Sequence, residues 1–286
     1  MSRPLSDTTR QIVERASELW ENVYQPADIV PTVRQYFYAL AVEEIVEKSD
    51  KGYSQVQVAL ARARERGAFP MRAVYDGLRQ IRQPPTWPTL QAFVARVPQW
   101  FALDKWAMQP RRVEVWIEKD AVRGTVQAVT DAADVPLLVD RGYLSVTAKF
   151  EASVRIAGGP RAILYIGDHD PSGVNMQMEA ETWMRAEADE GLDLVIERVA
   201  ITDTEQADPG LPHLPVNPKD PRAADYVKRY GHEVVEVEAL PPEVLQARLR
   251  NALDRHRDAE AWAEGEALEA EQRTRLVALL GGEATP

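Results

Sequence analysis

The stretch Arg161-Ala162-Ile163-Leu164-Tyr165-Ile166-Gly167-Asp168-His169-Asp170-Pro171-Ser172-Gly173 decides how this chain is read. Ala162–Ile166 is a continuous apolar run, the pattern of a strand buried on both faces. Polar residues follow at once, flanked by Gly167 and Gly173, which allow tight turns and close backbone approach. Ligands of a parallel sheet bind beyond the carboxyl ends of its strands, so Asp168 and Asp170 stand where function is placed rather than packing. Residues i and i+2 of an extended segment face one side. The two carboxylates are therefore expected to converge, and His169 to point away from them and not act as a ligand.

Outward from this stretch the chain alternates. Val113–Ile117 is apolar at every other residue, a strand, and Val135–Val139 and Leu192–Ala200 read as two more. Lys119–Ala132, Ser145–Ile156 and Val174–Ala188 read as helices between them. This alternation predicts an α/β protein with a parallel sheet covered on both faces. Glu118 directly follows the first strand, as Asp168 and Asp170 follow the third. Three carboxylates at strand ends repel one another, and a hard divalent cation such as Mg2+ relieves this with oxygen ligands. Glu118, Asp168 and Asp170 are thus the candidate metal ligands; solvated acids capping strand ends and helix N-termini are the alternative.

The N-terminal part is helical in pattern. Residues 6–22 form a first helix, Thr32–Lys48 a second with Val33, Phe37 and Leu40 on its stripe, and Tyr53–Arg66 a third with Val56, Leu60 and Ala63 buried. Gly52 is read as the break between them and Gly67 as a C-terminal cap. Residues 68–85 are turn-rich and partly extended. Two helices, a tight turn and an extended segment suggest a winged helix-turn-helix. Thr89–Trp106 is helical, interrupted at Pro98. Five prolines from Pro209 to Pro221 at three-residue spacing predict an extended surface loop, followed by structure over Tyr226–Glu238 and a helix over Pro241–Arg257. The acidic last 30 residues read as a peripheral helix, then a frayed tail from Gly281.

The chain has 286 residues, 45% hydrophobic and 28% charged, with no cysteine and a net charge of −11. Without cysteine, disulfides and thiolate metal sites are excluded. Residues 1–112 hold 16 Lys/Arg against 12 Asp/Glu, and residues 113–286 hold 18 against 33. Such asymmetry is compatible with one nucleic-acid-facing half and one acidic half. Arg62, Arg66, Arg72, Arg79 and Arg82, with Arg64 among them, cluster around the third helix and the expected wing. They are candidate phosphate contacts or a solvated basic face. Lys119 either approaches a phosphate or caps a helix. No segment approaches the ~18 apolar residues of a membrane span, and Met1–Arg10 has no apolar signal core, so a cytoplasmic location is expected.

Ile117-Glu118-Lys119 together with Gly167-Asp168-His169-Asp170-Pro171-Ser172-Gly173 resembles the Toprim fold. The longer Asp-x-Asp-Pro-x-Gly form is similar to the branch containing the A subunit of topoisomerase VI and the related meiotic double-strand-break protein. Arg34-Gln35-Tyr36-Phe37-Tyr38 resembles that family's winged-helix pattern, Arg-acidic-hydrophobic-Tyr-Tyr, with Tyr38 at the nucleophile position. Gln35 replaces the acidic residue and Phe37 the first tyrosine, and the chain is short for a full A subunit. The resemblance covers roughly residues 30–240. It implies a winged-helix domain over 1–110, a Toprim domain over 111–260, and a peripheral acidic helix and tail over 261–286.

It also implies Mg2+-dependent cleavage of double-stranded DNA by Tyr38, in a nucleoid-associated homodimer where each tyrosine faces the partner's metal, with a separate B-type ATPase subunit for strand passage. Arg34, one turn from Tyr38 on the same helix face, is expected to favour phenolate over phenol or to hold a phosphate. Tyr38 lies about 100° around the helix from Phe37, off the centre of the apolar stripe; an amphipathic tyrosine at the core edge is the alternative. A Toprim nuclease using water and a non-catalytic DNA-binding module are the other two readings of the whole.

Overall fold

The computed structural model describes residues 7–75, 84–140, 142, 144–187 and 193–281. Helix α1, Asp7–Leu19, buries Ile12, Val13, Ala16 and Leu19 along one face and continues into a π-helical turn over Trp20–Tyr24. Helix α2, Val33–Val42, opens with a capping box: Thr32 Oγ1 accepts from the Gln35 amide, and Gln35 Oε1 accepts from the Thr32 amide. Glu and Gln serve equally at this third position, so Gln35 keeps a structural role that an acidic residue would also fill. The helix was expected to reach Lys48 but stops at Val42. Glu44 takes a left-handed conformation (φ 57°), the Ile45 amide donates to Leu40 O, and the Glu44 amide donates to Ala41 O. This is the double closure of a Schellman motif without its usual glycine, and it lets Val46 bury.

Helix α3, Asp50–Glu65, starts on Ser49, whose hydroxyl accepts from the Gly52 amide. Gly52 is therefore inside the helix, not a break before it. A Cβ there would lie 1.9 Å from Glu47 O, so glycine is needed for the close approach of that carbonyl. Val56, Leu60 and Ala63 are buried as expected, and Gly67 (φ 71°) ends the helix. The described residues between 68 and 110 contain no strand. Helix α4, Leu90–Val94, and helix α5, Val97–Trp100 with Pro98 in its first turn, replace the single interrupted helix expected there.

The second half is a four-stranded parallel sheet. Strand β1 is Arg112–Ile117, helix α6 Arg123–Ala132, strand β2 Leu137–Val139, helix α7 Val146–Ile156, strand β3 Arg161–Ile166, helix α8 Pro171–Glu187 and strand β4 Leu194–Ala200. Ser145 caps α7 through the Ala148 amide. The strand order is β2-β1-β3-β4, with β1 paired to both β2 and β3. The chain thus leaves β1 toward β2 and then returns to the other side of β1 as β3. The order reverses between β1 and β3, which is where open α/β sheets bind ligands.

Both faces of the sheet are buried. Val113, Val115, Ile117, Ala162, Leu164 and Ile166 join the N-terminal helices in one continuous core, while Trp116, Ile163 and Tyr165 form a second with α7 and α8. Each fully buried Val, Leu or Ile here contributes roughly 1.5–3 kcal/mol relative to exposure. Helix α9, Asp203–Gln206, precedes the proline-rich stretch, where strand β5, Leu214–Pro215, pairs antiparallel with strand β6, Glu233–Val234. Helix α10, Ala223–Tyr230, lies between them, and helices α11, Pro242–Arg255, and α12, Ala259–Leu279, end the described chain. α12 packs back on the segment before β1: Lys105 pairs with Glu269, and the Arg273 guanidinium donates to Pro98 O and Phe101 O. No helix among the described residues is long and apolar enough to cross a membrane.

Candidate functional site

The carboxyl ends of β1 and β3 carry Glu118 and the Gly167–Asp170 turn side by side. Glu118 Oε2 accepts from the Asp168 amide at 2.9 Å. Gly167 and Gly173 cradle that carboxylate, since a Cβ on either would fall 2.7 or 2.8 Å from Glu118 Oε2. Burial, with Asp168 adding repulsion, pushes the Glu118 carboxyl up to about 7. Asp140, at the end of the neighbouring β2, is pushed up to about 6 by burial. Arg198 ties down the turn from behind, donating to Gly167 O at 3.1 Å and also to Asp168 O.

Asp168 is 3% exposed. Its Oδ1 accepts from the Val237 amide at 2.8 Å, and its Oδ2 lies 2.5 Å from Lys119 Nζ. Asp170 turns elsewhere: its Oδ1 accepts from the Gly173 amide at 2.7 Å and so caps α8, with Pro171 next in the first turn. Asp168 and Asp170 thus take different partners, because Pro171 starts a helix whose free amides engage Asp170. Among the described residues no three His, Asp or Glu side chains form a ready ligand set. The donor chemistry nevertheless suits a hard cation, with carboxylate oxygens, carboxyls whose protons burial and mutual repulsion hold more tightly, and a glycine cradle.

His169 is fully buried and points away from both aspartates, as its alternation predicts. Its Nδ1 meets Tyr226 Oη at 2.8 Å and its Nε2 meets Asp203 Oδ1 at 2.9 Å. Burial lowers its pKa. Backbone bonds in both directions between His169 and Val235 carry the segment after β6 to the site.

That segment brings two carboxylates the sequence reading missed, Glu236 and Glu238. Lys119 Nζ sits among three acids: Asp168, Glu236 Oε2 at 3.8 Å and Glu238 Oε2 at 3.9 Å. Glu238 is buried, and burial pushes its carboxyl up to about 7 against the pull of Lys119 and Arg34. The signal was present in Val235-Glu236-Val237-Glu238, an alternation that sets two acids two residues apart as in Asp168-His169-Asp170.

Tyr38 and Arg34 reach the same cluster. Tyr38 Oη donates to Glu236 Oε2 at 2.9 Å, and Arg34 donates to Glu236 Oε1 at 2.9 Å. The two residues share a helix face, as their spacing predicts. Tyr38 is not at the edge of the core, however, being 3% exposed. Nor does Arg34 tip it toward phenolate. Burial and the Glu236 carboxylate outweigh the guanidinium and hold the phenol above its ordinary range. The other tyrosine of the motif, Tyr36, is buried in the core with its hydroxyl on Ala73 O at 3.0 Å. Of the basic candidates, Arg62, Arg66 and Arg72 are exposed, Lys119 lies within the site, and Arg79 and Arg82 lie outside the described residues. No protein-family model and no curated protein matches this chain.

Proposed function

We propose that the chain is a reduced relative of the topoisomerase VI A subunit, a winged-helix unit followed by a Toprim domain, that cleaves double-stranded DNA with Tyr38. One observation carries this reading: Tyr38 joins the strand-end carboxylates through an unbroken chain of contacts, Tyr38–Glu236–Lys119–Asp168. Two motifs more than a hundred residues apart in sequence meet at the topological switch point of the sheet. Tyr38 attacks a backbone phosphorus and conserves the bond energy in a phosphotyrosyl link. Arg34 and Lys119 supply positive charge for the phosphate. Glu118, Asp168 and Asp170 would hold Mg2+, which when bound supplies charge stabilisation at the phosphate oxygens. A homodimer provides two tyrosines for two strands, and a separate B-type ATPase would be needed for strand passage.

Incubation with magnesium and labelled duplex, then denaturation, tests this: a covalent protein–DNA adduct is expected. Free 5′-phosphate ends without adduct replace it with the second reading, a Toprim nuclease that activates water. The burial of Tyr38 favours that second reading, because a backbone phosphate reaches the hydroxyl of a residue 3% exposed only after the helix and the Glu236 segment part.

A further inference from the structure

The nucleophile assigned above is a phenol, and something must take its proton; the inference that follows rests on that assignment. We propose that Glu236 is the proton acceptor for Tyr38. The distance fits, since the 2.9 Å contact from Tyr38 Oη to Glu236 Oε2 is within the reach a general base requires. The carboxylate is also oriented by a third group. Arg34 binds Oε1 at 2.9 Å, which leaves Oε2 for the tyrosine. Nucleophile, base and orienting partner in hydrogen-bond sequence are the arrangement by which weak hydroxyl nucleophiles are activated.

The base is fixed through its backbone as well. On one side Val235 exchanges hydrogen bonds with His169, and on the other the Val237 amide donates to Asp168 Oδ1. Glu236 is therefore locked in register with the turn at the end of β3, and a movement of either is felt by the other. The remaining charged groups near the hydroxyl are poorer acceptors. Arg34 carries no lone pair for a proton. Lys119 is held cationic by its acidic neighbours. Glu238 contacts Arg34 and Lys119 at 3.8 and 3.9 Å and is not bonded to Tyr38.

A buried phenol whose proton burial and Glu236 hold more tightly stays protonated until attack, so its proton leaves as the new bond forms. The Tyr38 Oη–P bond forms, the bond from phosphorus to the sugar oxygen breaks, and the phenolic proton passes to Glu236 Oε2. The departing sugar oxygen takes a proton from solvent, and Glu236 returns its own to solvent, so charge and atoms balance. Resealing runs the same path backward, with protonated Glu236 delivering to the leaving phenolate.

The test uses the full chain with magnesium and duplex DNA. Glu236→Gln keeps the shape and an oxygen acceptor but cannot take a proton at neutral pH. It is expected to slow adduct formation on the order of 100-fold or more while DNA affinity is unchanged. Glu236→Asp, which retains a carboxylate one methylene shorter, is expected to fall between and guards against a glutamine variant that folds poorly. Independently, the Tyr38 hydroxyl proton resonance, assigned by its loss in Tyr38→Phe, should move upfield when the carboxylate acceptor becomes an amide. Wild-type adduct formation with an equally fast Glu236→Gln removes the base alone, and an unmoved Tyr38 resonance removes the contact on which it depends. No adduct from the wild-type chain removes the nucleophile, and the base with it.

Discussion

Lys119 and Asp168 form a 2.5 Å ion pair at the carboxyl ends of adjacent strands. Asp168 is almost fully buried, so Lys119 acts as the built-in counter-ion of an acid that burial otherwise drives toward protonation. Lys119→Met should therefore destabilise the metal-free protein by about 3–5 kcal/mol, the cost of leaving a buried charge unpaired. Added magnesium should restore more of the melting temperature in the variant than it adds to wild type. Thermal unfolding with and without magnesium measures both, and a variant as stable as wild type without metal would show that the pair contributes nothing.

Asp170 caps α8, and substitution can separate that role from its proposed second one as a metal ligand. As the cap of α8 it accepts from the Gly173 amide at 2.7 Å. Asp170→Ala should lose the cap at a cost of about 1 kcal/mol, whereas asparagine caps equally well. Asp170→Asn should keep wild-type stability yet weaken magnesium binding measured by calorimetry. Unchanged affinity in the asparagine variant would leave Asp170 as a helix cap only.

The two buried tyrosines of α2 should dissociate in the same way. Tyr36→Phe leaves Ala73 O without its 3.0 Å donor and should cost roughly 1 kcal/mol of stability, with adduct formation intact. Tyr38→Phe should abolish the adduct while Arg34 continues to hold Glu236. Denaturant unfolding and the adduct assay, run on both variants, give a crossed pattern; an adduct from Tyr38→Phe excludes it as the nucleophile.

The sheet was legible because both central strands are buried on both faces, β3 reading as a continuous apolar run and β1 as an alternating one. Glu118 and Asp168 were legible because they sit directly after those runs. Glu236 and Glu238 carry only the weaker signal of alternation, since they follow a two-residue strand and are brought to the site by the long-range pairing of Val235 with His169 and by the Val237 amide on Asp168. The end of α2 was hidden because a glutamate, not a glycine, takes the left-handed position. Gly52 misled for the converse reason: it admits the Glu47 carbonyl rather than ending a helix. Tyr38 was read from its own helix, where it looks peripheral; the surface that covers it comes from residues two hundred positions away.

Tyr38 bonds Glu236 of its own chain, which bears on how a dimer would divide the work. The family resemblance implies a tyrosine acting on the partner's metal, whereas here Tyr38 and Asp168 belong to one cluster within one chain. Mixed dimers of Tyr38→Phe and Asp168→Ala chains distinguish the two. If each chain completes its own centre, neither the heterodimer nor either parent forms adduct. Adduct recovered in the heterodimer alone would mean that the helix swings across to the partner.

Glu238 gives the site a pH dependence of definite sign. Its carboxyl is pushed up to about 7 in the folded protein from an ordinary 4.5, chiefly by burial. Below 4.5 both folded and unfolded chains carry the proton, so the advantage of keeping this acid neutral in the fold is complete. As pH rises the unfolded chain loses that proton first. Stability then falls until the folded carboxyl ionises near 7, after which this group has no further effect. Glu238→Gln imitates the neutral form at every pH. The variant should match wild type in acid, gain on it steadily through the window, and reach a constant lead of at most about 3 kcal/mol above neutrality. Urea unfolding of both proteins, free of metal, between about pH 4 and about pH 8 measures that lead. A lead that is constant across the range, or that shrinks as pH rises, would mean that Lys119 and Arg34 hold Glu238 ionised in the fold and that burial is not the dominant influence on it.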